Sequence, residues 1–324
     1  MPRYTTIIAV TRALLNAPAN NEWIDRYNNY AKILLAAVPR ITEQRGKFRI
    51  PSPFHTYLNL TNVKGAVIKF QLRYLGQNVA DLRYDSANDT MLLSTAGYVK
   101  QNNANFSYDG NFTMKSWLDS DAKEFRAYFK CINEWGIARI NGGKRNDEHR
   151  LESALYTEFE KGMAASKAFG GIQPVQFGNV RMGFPTPLRA SKHGAPEYCG
   201  SRGGSVDILV RWGIPKSTLC VIELKDENNK GSETPEDVVE QATVYAVFLR
   251  ELLRSSCGEE WWRLFGFSRQ LPKKLHINAM SLMPYGLCSD HSFCGKDYPI
   301  SGDCIQLHAS YFMERIHFQF PFVR

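Results

Sequence analysis

No apolar run in this 324-residue chain approaches the roughly 20 residues a membrane-spanning helix needs, which argues against a helical span. The segment after Met1, PRYTTIIAVTRALL, holds a short apolar stretch interrupted by Thr and Arg. It lacks the continuous core and cleavage site of a secretory leader. Internal repeats and low-complexity tracts are also missing, so solenoid and disordered classes are set aside. No tidy CxxC pair occurs among the seven cysteines, an odd number scattered through a chain too large to need disulfide staples. Reduced thiols and a cytoplasmic location are the expectation.

What remains is ordinary globular material: 44% hydrophobic, 12% aromatic and 22% charged. The length suits two domains, or one with large insertions. Forty Lys and Arg against 32 Asp and Glu leave a net charge of +8. That balance suits a polyanionic partner, although it bears on association and not on fold.

Residues 22–38 place Trp23, Tyr27, Tyr30, Ile33, Leu34 and Ala37 at helical spacing, and Pro39 is expected to end that helix. GAVIKFQLRYLG, NVADLRYDS and DTMLLSTAG read as strands, joined by turns at Gly76-Gln77-Asn78 and Ser86-Ala87-Asn88-Asp89. A helix follows, with Ser120 as its expected N-cap and Phe125, Tyr128, Phe129 and Ile132 on one face. Ile140–Asp147 is the best linker candidate. From residue 148 the order is helix, strand, strand, helix, strand, strand, as in one mixed α/β domain.

Within GGSVDILVRWGIPKSTLCVIELKDE, two apolar strands flank a turn at GIPKS. If Trp212 faces Thr218 across that turn, Asp207 faces Glu223, with Cβ atoms about 5 Å apart. Glu223 and Lys225 share a face of their strand because side chains alternate. Two opposed carboxylates call for a cation between them, and hard oxygen donors suit Mg²⁺. A neighbouring lysine then stabilises charge growing on a phosphate or positions water.

Asp207 followed by Ile222-Glu223-Leu224-Lys225 resembles the signature of the PD-(D/E)XK nuclease superfamily, with Val206 where the family's proline usually stands. The resemblance covers roughly half the chain. Residues 1–140 lie outside it and read as an N-terminal α+β accessory domain. Residues 141–324 would be an α/β restriction-endonuclease-like domain, a central mixed β-sheet flanked by helices in αβββαβ order. The first strand falls in either IQPVQFG or VRMGF. Asp207, Glu223 and Glu152 would hold Mg²⁺, for which Mn²⁺ can substitute, and Glu148 is the runner-up to Glu152. Lys225 would position the water, and Gln241, with Tyr245 one turn later, would orient the lysine or touch the phosphate backbone. DNA is expected over RNA, with no membrane partner; endo- or exonuclease action and a homodimer are both compatible.

Blander readings stand beside these. The charged set could be a solvated sheet face with a cross-strand ion pair, Glu152 a helix acid favoured by the macrodipole, and Gln241 a surface residue. A catalytically inactive nucleic-acid-binding or structural protein that keeps the fold is the alternative function. Asp226 and Glu227 read as loop charges. Cys288, His291, Cys294, Cys304 and His308 are zinc-type donors in one tract, but core cysteines and ordinary histidines explain them more simply. Lys69, Arg73 and Arg83 could grip nucleic acid beside aromatic residues, which more often form core.

Overall fold

The computed structural model describes residues 3–50, 53–60, 63, 68–100, 103–134, 147–164, 171–190, 195–213, 218–226, 232–288, 291–312 and 318–319. Its helices are α1 (Arg3–Asn16), α2 (Glu22–Gly46), α3 (Ser120–Glu134), α4 (Asp147–Ala164), α5 (Pro235–Arg254) and α6 (Gly258–Leu264). Before α4 come strands β1 (His55–Leu58), β2 (Lys69–Tyr74), β3 (Gln77–Asp85), β4 (Thr90–Ser94) and β5 (Lys115–Ser116). After it come β6 (Ile172–Pro174), β7 (Gln176–Phe177), β8 (Val180–Met182), β9 (Phe184–Pro185), β10 (Leu188–Arg189) and β11 (Glu197–Tyr198). Then follow β12 (Ser205–Val206), β13 (Ile208–Trp212), β14 (Thr218–Leu224), β15 (His276–Pro284), β16 (Asp297–Ile300), β17 (Asp303–Phe312) and β18 (Phe318–Gln319). Among the described residues no helix is long and apolar enough to cross a membrane.

The chain divides into two compact units. The larger comprises Met1–Lys32, Ala154–Val175 and Gly183–Arg324, and the smaller Ile33–Ser153 and Gln176–Met182. A single cut near residue 140 therefore differs from the division in space. The reason lies in α1, whose buried Tyr4, Ile8, Thr11 and Leu15 need a partner, and α1 lies against α5. Residues 140–146 of the expected linker lie outside the described residues, and Asp147 already opens α4.

In the smaller unit, seven strands run in the order β5-β4-β3-β2-β1-β8-β7. Phe70, Leu72 and Tyr74 of β2 are buried, as are Phe125 and Phe129 of α3. The two sets meet where Tyr74 lies 5.0 Å from Phe129 and Phe54 stacks on Phe125 at 5.3 Å between ring centroids. The aromatics are core. Lys69 pairs with Asp81 at 3.2 Å, and Arg73 lies 3.9 Å over the Tyr57 ring and donates to Asn78. The turn between β2 and β3 is Leu75-Gly76, both at positive φ, a residue earlier than its glycine suggested. A Cβ on Gly76 would fall 2.4 Å from the His149 carbonyl oxygen, so glycine is required there.

Two helix ends differ from expectation. Asp119, not Ser120, caps α3: its Oδ1 accepts from Asp121 N at 3.0 Å and its carbonyl from Lys123 N at 3.0 Å. A carboxylate one residue earlier satisfies the orphan donors better than the hydroxyl. Helix α2 runs through Pro39 to Gly46. Pro39 and Leu35 are both exposed, so the carbonyl that loses its partner is on the outer side, while Leu34, Ala37 and Ile41 keep the buried stripe going.

In the larger unit the sheet order is β16-β17-β15-β14-β13-β6, with β18 added on β17. β6, β13 and β14 are antiparallel neighbours, whereas β14, β15 and β17 run parallel. Parallel strands need a crossover, and α5 supplies it. Every residue from Gln241 to Arg250 of α5 is buried, because the sheet packs on it from one side and α1 from another. Its start is fixed by a Thr234–Asp237 capping box with Pro235 in the first turn. Trp23 and Tyr27 of α2 pack edge-on against Phe248 of α5, at 5.6 and 5.0 Å.

His308 lies buried on β17 with its ring 4.9 Å from that of Trp212. Its Nε2 donates to Asn278 Oδ1 at 3.0 Å, and Asn278 donates to Thr218 Oγ1 at 2.6 Å. Burial pushes its pKa down to about 4 from 6.5, with Asp297 pulling weakly the other way. The unfolded imidazole takes a proton that the folded one refuses, so stability is full above about pH 6.5 and falls by roughly 3 kcal/mol as the pH drops to 4. The urea midpoint should follow that fall in the wild type and be flatter in His308→Gln. Identical pH profiles for the two proteins would refute the assignment.

Candidate active site

The β13–β14 hairpin has the register expected of it: Trp212 pairs with Thr218 and Ile208 with Ile222. That register, continued by one residue, brings Asp207 to Glu223, but SVDILVRW is not one strand. Ser205 and Val206 pair with Pro185 and Phe184 of β9, and from Ile208 onward the partner is β14. Asp207 sits at the switch between them. Two glycines let the chain arrive there. A Cβ on Gly203 would lie 2.1 Å from the Thr186 carbonyl oxygen, and one on Gly204 would lie 2.5 Å from the Tyr245 hydroxyl.

At this break Asp207 Oδ2 accepts from Leu224 N at 3.0 Å, and Asp207 N approaches Glu223 Oε1 at 3.5 Å. Glu223 is 4% exposed. Burial, and then the Asp207 charge, hold its carboxyl pKa well above the usual range, and Lys225 opposes them. Burial likewise raises the Tyr245 hydroxyl, with Glu223 adding to it. Glu223 pairs in register with Ser281, which pairs with Ala309. Ala309 shares a face with Asp303, and Asp303 is bonded to Arg250, so the carboxylate pair lies on the face covered by α5.

Lys225 follows the last residue of β14 and extends the ladder through its N–H to Leu282 O at 3.1 Å. Its Nζ lies 3.6 Å from Glu233 Oε2, and Gln241 Nε2 donates to Glu233 Oε1 at 2.7 Å. Glu233 is thus the residue that sequence reading missed. It joins Lys225 to Gln241, which do not need to touch. A usable signal was present, since Thr234-Pro235-Glu236-Asp237 is a helix start and the residue before such a cap is held next to the strand ends.

Asp207, Glu223, Lys225 and, through Glu233, Gln241 are brought together, with Tyr245 beside them. Glu152 belongs to the smaller unit, on α4, with His149 Nδ1 3.1 Å from its Oε2. It also lies close enough to raise the Tyr57 hydroxyl, after burial. Glu227 lies outside the described residues. In the C-terminal tract, His291 is taken by Glu236 at 2.7 Å and by the Tyr311 hydroxyl, and His308 by Asn278. Two opposed carboxylates with hard oxygen donors, one of them buried and resisting ionisation beside the other, fit a small divalent cation. A scan against protein-family models finds no match, and neither do searches of curated proteins and of solved structures.

Proposed function

We propose that this chain is a Mg²⁺-dependent nuclease that hydrolyses phosphodiester bonds in DNA. The observation that carries the proposal is the meeting of Asp207 and Glu223 at the end of the β13–β14 pairing, where Asp207 Oδ2 accepts from Leu224 N and Asp207 N approaches Glu223 Oε1, with the Lys225 charge acting on the same carboxylate. Support for a restriction-endonuclease-like core comes from the order α4, β6, β13, β14, α5, β15 in a mixed sheet, the αβββαβ sequence that the superfamily resemblance implies. Of the two first-strand candidates, IQP pairs with β13 as β6, whereas VRM, as β8, belongs to the other sheet.

Asp207 and Glu223 would hold Mg²⁺, or Mn²⁺ in its place. When bound, such an ion polarises a phosphoryl oxygen and lowers the pKa of water. Leu224 N fixes one Asp207 oxygen beside Glu223. Lys225 supplies the cation that positions water and offsets charge growing on the phosphorane. Glu233 holds that lysine and Gln241 holds Glu233, so Gln241 acts as a positioning residue. Gln241→Ala should lower the cleavage rate by about 10- to 100-fold with substrate KM little changed. A Gln241→Ala enzyme with wild-type kcat would remove Gln241 from the mechanism. Glu152, with His149 on its carboxylate, is assigned no step.

The test is a cleavage assay on single-stranded, linear and supercoiled DNA and on RNA, with Mg²⁺, Mn²⁺ or EDTA. Cutting of DNA that EDTA stops is the expected result. Salt-dependent DNA binding without cutting under any condition would favour a binding protein that keeps the fold. The absence of both binding and cutting would sink the nuclease reading.

A further inference from the structure

We infer that His276, Asp297 and Cys304 form a second metal site, for an ion of the zinc class, on the opposite face of the larger sheet. One ligand atom from each of the three lies within 4.8 Å of those of the other two. The convergence is a product of strand register. His276 opens β15 and pairs with Cys304 near the start of β17, while Asp297 opens β16 opposite Gln306, two residues beyond Cys304 on the same face. Gln306 Nε2 donates to Asp297 Oδ1 at 2.9 Å, which orients the carboxylate toward this corner. Ligands at about 2.0–2.3 Å from a tetrahedral ion lie roughly 4 Å or less from one another, so small side-chain rotations close the set.

Those rotations are available. His276 and Asp297 are exposed, whereas Cys304 is buried and fixed in the sheet. The donors are one nitrogen, one oxygen and one sulfur. A thiolate disfavours Mg²⁺ and an imidazole suits zinc, so this set selects a different metal from the all-oxygen pair at Asp207 and Glu223. Three protein ligands leave a fourth position to water from the exposed side. The two sites are separate: His276 precedes Ser281, the register partner of Glu223, by about 17 Å of strand and faces the other way. A bound ion would tie edge strand β16 to the starts of β15 and β17. Of the cysteines and histidines in the C-terminal tract, Cys304 alone takes part, since the other ligands come from different strands.

The experiment is a titration of the metal-free full chain with Co²⁺ and then Zn²⁺, read by absorbance. One equivalent of Co²⁺ should give tetrahedral d–d bands and a thiolate-to-metal charge-transfer band, both removed by Zn²⁺ and untouched by excess Mg²⁺. His276→Gln and Asp297→Asn, at exposed positions that the fold tolerates, should each weaken zinc binding by at least the 10- to 100-fold that loss of an outer partner costs. Cys304→Ser should abolish the charge-transfer band, and Asp207→Asn should leave all of it intact. Zinc affinity unchanged in both His276→Gln and Asp297→Asn would overturn the inference. So would a charge-transfer band lost in Cys294→Ser but kept in Cys304→Ser, or no metal bound at all.

Discussion

For the nuclease proposed above, Lys225→Ala should lower the rate of metal-dependent DNA cleavage by about 10²–10⁴-fold, the range for losing one positioned proton-transfer or charge-stabilising group, and leave the protein folded. The lysine stands past the last residue of β14, and its backbone bond to Leu282 survives the change. Glu233 keeps Gln241 as a partner. Lys225→Arg should not restore the rate, because a planar fork replaces a compact ammonium. Asp207→Asn should be as inactive, for loss of a proposed metal ligand, but with a different stability signature. Asparagine can still accept from Leu224 N, and removing the charge relieves the buried Glu223 beside it. In EDTA the Asp207→Asn protein should therefore be more stable than wild type by an amount of order 1 kcal/mol. Mg²⁺ should raise the melting temperature of the wild type only. Thermal melts with and without Mg²⁺ check this, and a variant that is less stable in EDTA while still responding to Mg²⁺ would contradict the assignment.

Asp303→Ala should destabilise the chain by about 3–5 kcal/mol, the cost of stranding a buried charge. Asp303 is 3% exposed, and Arg250 beside it is 6% exposed. Its Oδ2 accepts from Arg250 Nε at 2.8 Å and Arg254 Nε at 2.9 Å, and its Oδ1 accepts from Leu275 N at 2.9 Å. Arg250 also bonds Glu251, which Arg12 of α1 reaches at 2.9 Å. One carboxylate thus links the end of α5 to the starts of β15 and β17. Asp303→Asn keeps an acceptor for Leu275 N and should cost less than the alanine variant. Urea denaturation checks both, and a midpoint for Asp303→Ala within error of wild type would show the network to be dispensable.

Some of this was determined by sequence alone, wherever neighbours in the chain decide the outcome. Helix α5 is one case: Thr234-Pro235 starts it and an unbroken apolar pattern carries it to Arg254. The β13–β14 hairpin is another. Two apolar runs separated by a Gly-Pro turn pair with each other, and the Trp212–Thr218 register assumed for them is the one the strands adopt.

Other features depended on partners distant in sequence. IQP and VRM are equally strand-like, and only the strand each found available sent one to each sheet. Tyr4, Ile8 and Leu15 of α1 do not name α5 as the surface that buries them. Asp207 sits at a break because β9 claims the two residues before it. Glu233 and the His276–Asp297–Cys304 corner are assembled from segments whose spacing carries no motif. Turn chemistry and alternation act over a few residues and can be read directly. Burial and strand pairing across a sheet choose among many equally apolar partners, and only the folded chain makes that choice.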